Sequence, residues 1–172
     1  MLYKIEVKDK RGIFDAVGSG IKKDILDLGI TSVDEVNFVQ VYAIDGDISQ
    51  EEIEKICSEI LTDSISQDYL LLTNEPENHR TKEHFVVEVA YNPGVMDPVE
   101  ESTLKAINDL GINTVNSVKT ARKYLVYGKL NEHQLKIISE KLLYNKLIQH
   151  VVKPQTPGAQ FKITPRLATD SS

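Results

Sequence analysis

Residues Tyr3 to Leu70 lie over Phe85 to Val152 without a gap at a constant offset of 82, and 18 of the 68 aligned positions are identical. The identities fall where a chain turns or packs. Gly12 matches Gly94, Asp15 matches Asp97, and Asp27-Leu28-Gly29-Ile30 matches Asp109-Leu110-Gly111-Ile112. Val33 and Val36 fall on Val115 and Val118, Tyr42 on Tyr124, and Gly46 on Gly128. An internal period of this length means one supersecondary unit used twice, so any fold for this chain must pack two like units. A single copy is of the size that folds only marginally, whereas a covalently joined second copy supplies a partner at high effective concentration. Function then resides in what differs between the copies.

Each copy reads strand, helix, strand, helix, strand. Tyr3, Ile5 and Val7 alternate with Lys4, Glu6 and Lys8, the period of a half-buried strand, and Phe85, Val87 and Val89 repeat it. Val17, Ile21, Ile25 and Leu28 follow helical spacing, as do Val99, Leu104, Ile107 and Leu110, and Gly29 and Gly111 stand where a helix end takes a left-handed residue. Long strands follow at about Val36 to Ile44 and Val118 to Val126. Second helices carry Ile53, Ile56, Cys57 and Ile60, matched by Leu135, Ile138 and Leu142, with start signals at Ser49-x-x-Glu52 and Asn131-x-x-Gln134. Short strands close the copies at Ile65 to Leu72 and Leu147 to Val152. The reading is an α+β fold: repeat 1 over 1–72, a polar linker over 73–84, repeat 2 over 85–152, and a proline-containing tail over 153–172 that cannot build its own core.

Composition narrows the function classes. The chain is 41% apolar and 27% charged, as expected of a soluble protein. A net charge of −6 argues against nucleic acid or an anionic membrane as principal partner. No run approaches the ~18 apolar residues of a membrane span, and the N-terminus enters a strand pattern without a signal-peptide hydrophobic region. One cysteine, Cys57, makes no internal disulfide, and a reducing cytoplasm is the natural setting.

Few motifs carry chemistry. Gly94-Val95-Met96-Asp97-Pro98 either grips an anion at a helix N-terminus or is a turn with Asp97 as N-cap and Pro98 at the first helical position. The second reading gives every residue a local task, and the same choice applies to Gly12 and Asp15. Asp45-Gly46-Asp47 lacks the further oxygens of a calcium loop. His79, His84, His133 and His150 have no partner at metal-ligand spacing, and Cys57 sits on an apolar stripe. No phosphate loop, nucleophile elbow or paired-carboxylate arrangement is present, so neither catalytic residues nor a cofactor or metal are assigned.

The long strands differ most. Copy two carries Lys119, Arg122 and Lys123, where copy one has Asn37, Gln40 and Val41. In an acidic chain these cations are either a docking patch or phosphate contact, or a solvated strand that blunts a sheet edge.

Copy two, with PGVMDPVEESTLKAINDLGINTVNSVKTARKYLVYG closed by EKLLYNKLIQHVV, resembles the PurS family, the small subunit of phosphoribosylformylglycinamidine synthase. The family pattern runs G-V-L-D-P-Q-G, a helix ending L-G, V-x-x-V-R-x-G-K, and L-L-A-N-P-V-I. Gly94, Asp97, Pro98, Leu110, Gly111, Val115, Val118, Arg122, Leu142, Leu143, Asn145 and Ile148 match it or nearly so; Val99, Glu100, Lys119, Ala121 and Lys146 depart from it. Copy one keeps Gly12, Asp15, Gly18, Leu28 and Gly29 but not the basic strand residues.

The resemblance implies a non-catalytic assembly module of purine biosynthesis. Its pseudo-twofold pair of repeats would resemble a PurS dimer, and would bridge a PurQ-type glutaminase and a PurL-type ATP-dependent synthetase so that ammonia passes between them. Single-chain synthases carry an N-terminal domain resembling two such subunits fused, and this tandem resembles that domain or a stand-alone version of it. Homo-oligomerisation is open to it. The rival reading is a small-molecule-sensing regulatory module, since paired α/β repeats bind amino acids between them.

Overall fold

The computed structural model describes residues 1–72, 83–152 and 163–165. Repeat 1 forms β1 (Leu2–Asp9), α1 (Ala16–Asp27), β2 (Val33–Gly46), α2 (Gln50–Ile56) and β3 (Gln67–Leu72). Repeat 2 forms β4 (Glu83–Tyr91), α3 (Pro98–Asp109), β5 (Val115–Gly128), α4 (Glu132–Ile138) and β6 (Gln149–Val151). A further short strand, β7 (Ile163–Pro165), pairs with β4; the rest of the expected tail and most of the expected linker lie outside the described residues.

The sheet order is β3-β1-β2-β5-β4-β6, which reads the same from either end with the repeats exchanged. Registers repeat as well. Ile5 faces Tyr42 and Val7 faces Gln40 in the first copy, as Val87 faces Tyr124 and Val89 faces Arg122 in the second, all in antiparallel pairs.

Local signals set the helices. Asp15 and Asp97 accept helix N–H groups from Gly18 and Val99 at 2.8 and 2.9 Å, and both expected capping boxes form, Ser49 with Glu52 and Asn131 with Gln134. At the far ends Gly29 and Gly111 take φ of 87° and 94°. Ile30 N–H then reaches the Ile25 carbonyl and Ile112 N–H the Ile107 carbonyl, satisfying groups the helix leaves free. The long strands run further than their apolar centres announce, and Gly46 and Gly128 explain where they stop. A Cβ on Gly46 would stand 2.4 Å from the Thr114 carbonyl oxygen, and one on Gly128 would stand 2.3 Å from that of Ser32. The second helices each widen into a π turn, Cys57–Leu61 and Ser139–Leu143, which no apolar period foretells.

Contacts divide the chain into two compact units that cut across the repeats. One gathers residues 1–13, 39–72 and 94–121; the other gathers 14–38, 83–93, 122–152 and 163–165. Each unit has its own core. In the first, Ile5, Val7, Ile44, Ile53 and Ile56 of repeat 1 surround Ile107, Ile112, Val115 and Val118 of repeat 2. In the second, Val87, Val89, Tyr124, Leu135 and Ile138 of repeat 2 surround Ile25, Ile30, Val33 and Val36 of repeat 1. Accordingly α3 packs on the π turn that follows α2, and α1 on the one that follows α4. The first helix of each repeat completes the other repeat's core. Burying apolar surface drives folding, so neither repeat encloses a core from its own residues.

Candidate functional site

The three expected cations, Lys119, Arg122 and Lys123, all lie on β5. Lys119 lies in the first compact unit, and Arg122 and Lys123 in the second. Lys119 Nζ is 3.6 Å from Glu100 on α3, and the same carboxylate accepts the Thr120 N–H at 3.4 Å. Lys123 faces Glu88 across the β4–β5 ladder. Arg122 alone has no ion pair or hydrogen bond among the described residues.

Arg122 rests on aromatic rings. Its guanidinium carbon lies 4.9 Å from the Phe38 ring centroid and 5.8 Å from that of Tyr124, and the rings are 5.7 Å apart. These are distances at which a cation is held by a ring face. Phe38 is fixed by its main chain: the second Asp15 oxygen, beyond the one that caps α1, accepts its N–H at 2.8 Å. Tyr124 is 2% exposed, and burial pushes its phenol pKa up, partly opposed by the Arg122 charge. The platform draws Asp15 and Phe38 from one repeat and Arg122 and Tyr124 from the other.

The first unit contains the matched place with different chemistry. Asp97, 4% exposed, caps α3 and accepts the Thr120 hydroxyl. Gln40 donates to the Ala121 carbonyl at 2.9 Å. Tyr42 has its pKa raised by burial and then by the Asp97 charge. At the offset of 82, Thr120 and Gln40 stand where the second unit has Phe38 and Arg122. One unit therefore presents an unpaired guanidinium and the other a closed set of neutral bonds around a carboxylate.

Sequence reasoning missed Phe38 and Glu100 because each meets β5 from an element distant in sequence, β2 and α3. A paired difference was the available signal: Glu100 and Lys119 appear together in copy two, where copy one has Gly18 and Asn37.

Other candidate chemistry resolves into structure. Cys57 is 1% exposed, and burial, with the Glu54 charge, pushes its thiol up to about 11. Its thiol is protonated at neutral pH and packed in the first core. In a hollow lined by Lys10, Ser58, Thr62, Ser64, Gln67, Asp68 and Tyr69, the Ser58 and Thr62 hydroxyls donate to the Lys55 and Cys57 carbonyls at 3.3 and 2.8 Å. Among the described residues no cluster of His, Cys, Asp or Glu could hold a metal ion, and no helix is long and apolar enough to cross a membrane.

A tandem α+β pair with interleaved cores, presenting one aromatic-held arginine, defines a duplicated two-repeat module. Residues 2–75 and 84–153 each match the PurS family, described as phosphoribosylformylglycinamidine (FGAM) synthase, and the chain belongs to that family. Membership ties it to FGAM synthase and purine biosynthesis. No curated protein matches the chain.

Proposed function

We propose that the chain is a non-catalytic assembly module of FGAM synthase that holds a glutaminase (PurQ-type) against an ATP-dependent synthetase (PurL-type) and so supports ammonia transfer. The observation that carries this reading is Arg122. A guanidinium resting against Phe38 and Tyr124 has N–H donors that suit a planar or tetrahedral oxyanion. In an acidic chain, such a group without an internal partner is suited to a carboxylate on a neighbouring subunit or to the substrate phosphate.

The test is reconstitution. Added to a synthetase and glutaminase that lack the module, the chain should restore glutamine-dependent FGAM formation while by itself hydrolysing neither glutamine nor ATP. Arg122→Ala should weaken assembly or raise the apparent KM, with a smaller loss at high salt. Gln40→Ala, at the matched position, should leave both unchanged. Equal effects of the two substitutions, or an Arg122→Ala effect confined to thermal stability, would return this strand to a purely structural role.

A further inference from the structure

Asp15 and Asp97 cap the first helices of the two repeats, and the residue before each cap is large and apolar. A side chain in that place ordinarily packs against the fourth helical residue. That residue is Ser19 in α1 and Glu101 in α3, so the usual apolar contact is missing from both, and Phe14 and Met96 are 74% and 75% exposed. Val17 and Val99, the second residues of the helices, are exposed as well. Both copies thus hold two apolar side chains in water at the start of the first helix.

Single exposed apolar residues are ordinary. What distinguishes the second unit is the charge beside the pair. Asp15 joins Phe14 to the Arg122 platform. One of its carboxylate oxygens accepts the Gly18 N–H and the other the Phe38 N–H, each at 2.8 Å, and the Arg122 guanidinium carbon lies 4.9 Å from the Phe38 ring centroid. Arg122 is itself exposed. The first unit has Gln40 in that place, and its amide donates to the Ala121 carbonyl.

We propose that Phe14, Val17 and Arg122 form a docking surface for one acidic side chain set among apolar ones on a partner protein. The proposal rests on the assembly reading and narrows it: of the two acceptors that suit Arg122, the surroundings favour a carboxylate over a phosphate. A phosphate at a helix start is ordinarily met by free N–H groups. Here the Gly18 and Phe38 N–H groups are both taken by Asp15, so a phosphate would find one guanidinium and, beside it, a carboxylate of its own sign. The other two cations of the strand act elsewhere. Lys123, the next residue on β5, leaves the opposite face of the sheet across from Glu88, and Lys119 pairs with Glu100 in the first unit. A single carboxylate matches one guanidinium in charge and in its two-oxygen edge. An exposed ring and valine next to that charge suit a protein surface, where aromatic residues and arginine dominate binding energy. A second copy of this chain is disfavoured by the net charge of −6, which makes like copies repel.

The experiment uses the full chain with purified synthetase and glutaminase, and reads affinity by calorimetry at low and high salt. Phe14→Ser should weaken assembly roughly tenfold at both salt concentrations, as expected for losing one buried aromatic side chain, with its urea midpoint at the native value. Arg122→Gln should weaken assembly by a similar factor at low salt and by less at high salt. Arg122→Glu should weaken it further, since it sets two acids against each other. Once the module is saturating, all three variants should show the native apparent KM for the phosphate-bearing substrate. If Phe14→Ser assembles with native affinity, the docking surface is refuted and the assembly reading stands. If Arg122→Gln keeps native affinity but raises the KM at saturation, the acceptor is a phosphate and the proposal is overturned. If the variants lose only self-association in sedimentation, the occupant is a second copy, and the proposal is again overturned. If the native chain forms no complex with either subunit, the assembly reading falls and the proposal with it.

Discussion

Ile107→Ala should weaken the part of the protein that its own repeat does not contain. Ile107 is 0% exposed and sits on α3 of repeat 2, yet its neighbours in the core are Ile5, Val7, Ile44, Ile53 and Ile56 of repeat 1. Truncation removes three carbons, about 2.4 kcal/mol of transfer free energy at ~0.8 kcal/mol each. The cavity adds to this, which places the total at roughly 3–4 kcal/mol, inside the range for buried Ile→Ala changes. For a chain of this length that is a fall in Tm on the order of 6–16 °C. Val99→Ala on the same helix, where the side chain is 43% exposed, should change stability by at most ~0.5 kcal/mol.

Location is the sharper readout. Native-state hydrogen exchange resolves sub-global openings. Ile107→Ala should raise exchange most in β1 and α2. Ile25→Ala, the identical residue at the matched position, should do so in β4 and α4, whose Val87, Val89, Leu135 and Ile138 share its core. If Ile107→Ala instead raised exchange only in β4 and α4, its own repeat, the interleaving of the cores would be refuted.

Residues 1–75 made alone lack α3 and the start of β5, so they should be unfolded or self-associate, and mixing with a separately made 83–172 fragment should restore cooperative unfolding; a stable monomer from the first fragment would count against shared cores. Gly20→Ala meets nothing within 4 Å and should stabilise α1 by up to ~1 kcal/mol. Gly18→Ala puts a Cβ 2.1 Å from the Val36 carbonyl oxygen and should destabilise in the same urea titration despite the better helix former. The Cys57 thiol, raised from 9.0 to about 11, stays protonated in the fold above the pH at which the unfolded chain ionises. Its contribution is therefore complete below pH 9.0 and is lost as pH rises toward about 11, a slope that Cys57→Ala should remove; thiol alkylation at neutral pH should be slow until the protein is unfolded.

What the sequence made legible was local. Caps, turn glycines and strand alternation are set by neighbours a few residues away, so Asp97, Gly29, Ser49 and Asn131 all took the places their chemistry demands. The destination of the first helices followed from the duplication rather than from their own stripe: a repeat too small to close a core was expected to bury its first helix and long strand against the other, and Ile25 and Ile107 do so. The basic strand was legible as three charges but not as their surroundings, which lie on other elements. Compared position by position, the differences between copies fall into coupled pairs. Lys119 comes with Glu100 where copy one has Asn37 and Gly18, so that cation has its acid within the chain. Arg122 comes with Phe38, where the matched place has Gln40 and Thr120. A ring orients a guanidinium but does not neutralise it. Of the three cations, Lys119 is answered by a carboxylate on α3, Lys123 lies across the ladder from Glu88, and Arg122 rests on the Phe38 and Tyr124 rings.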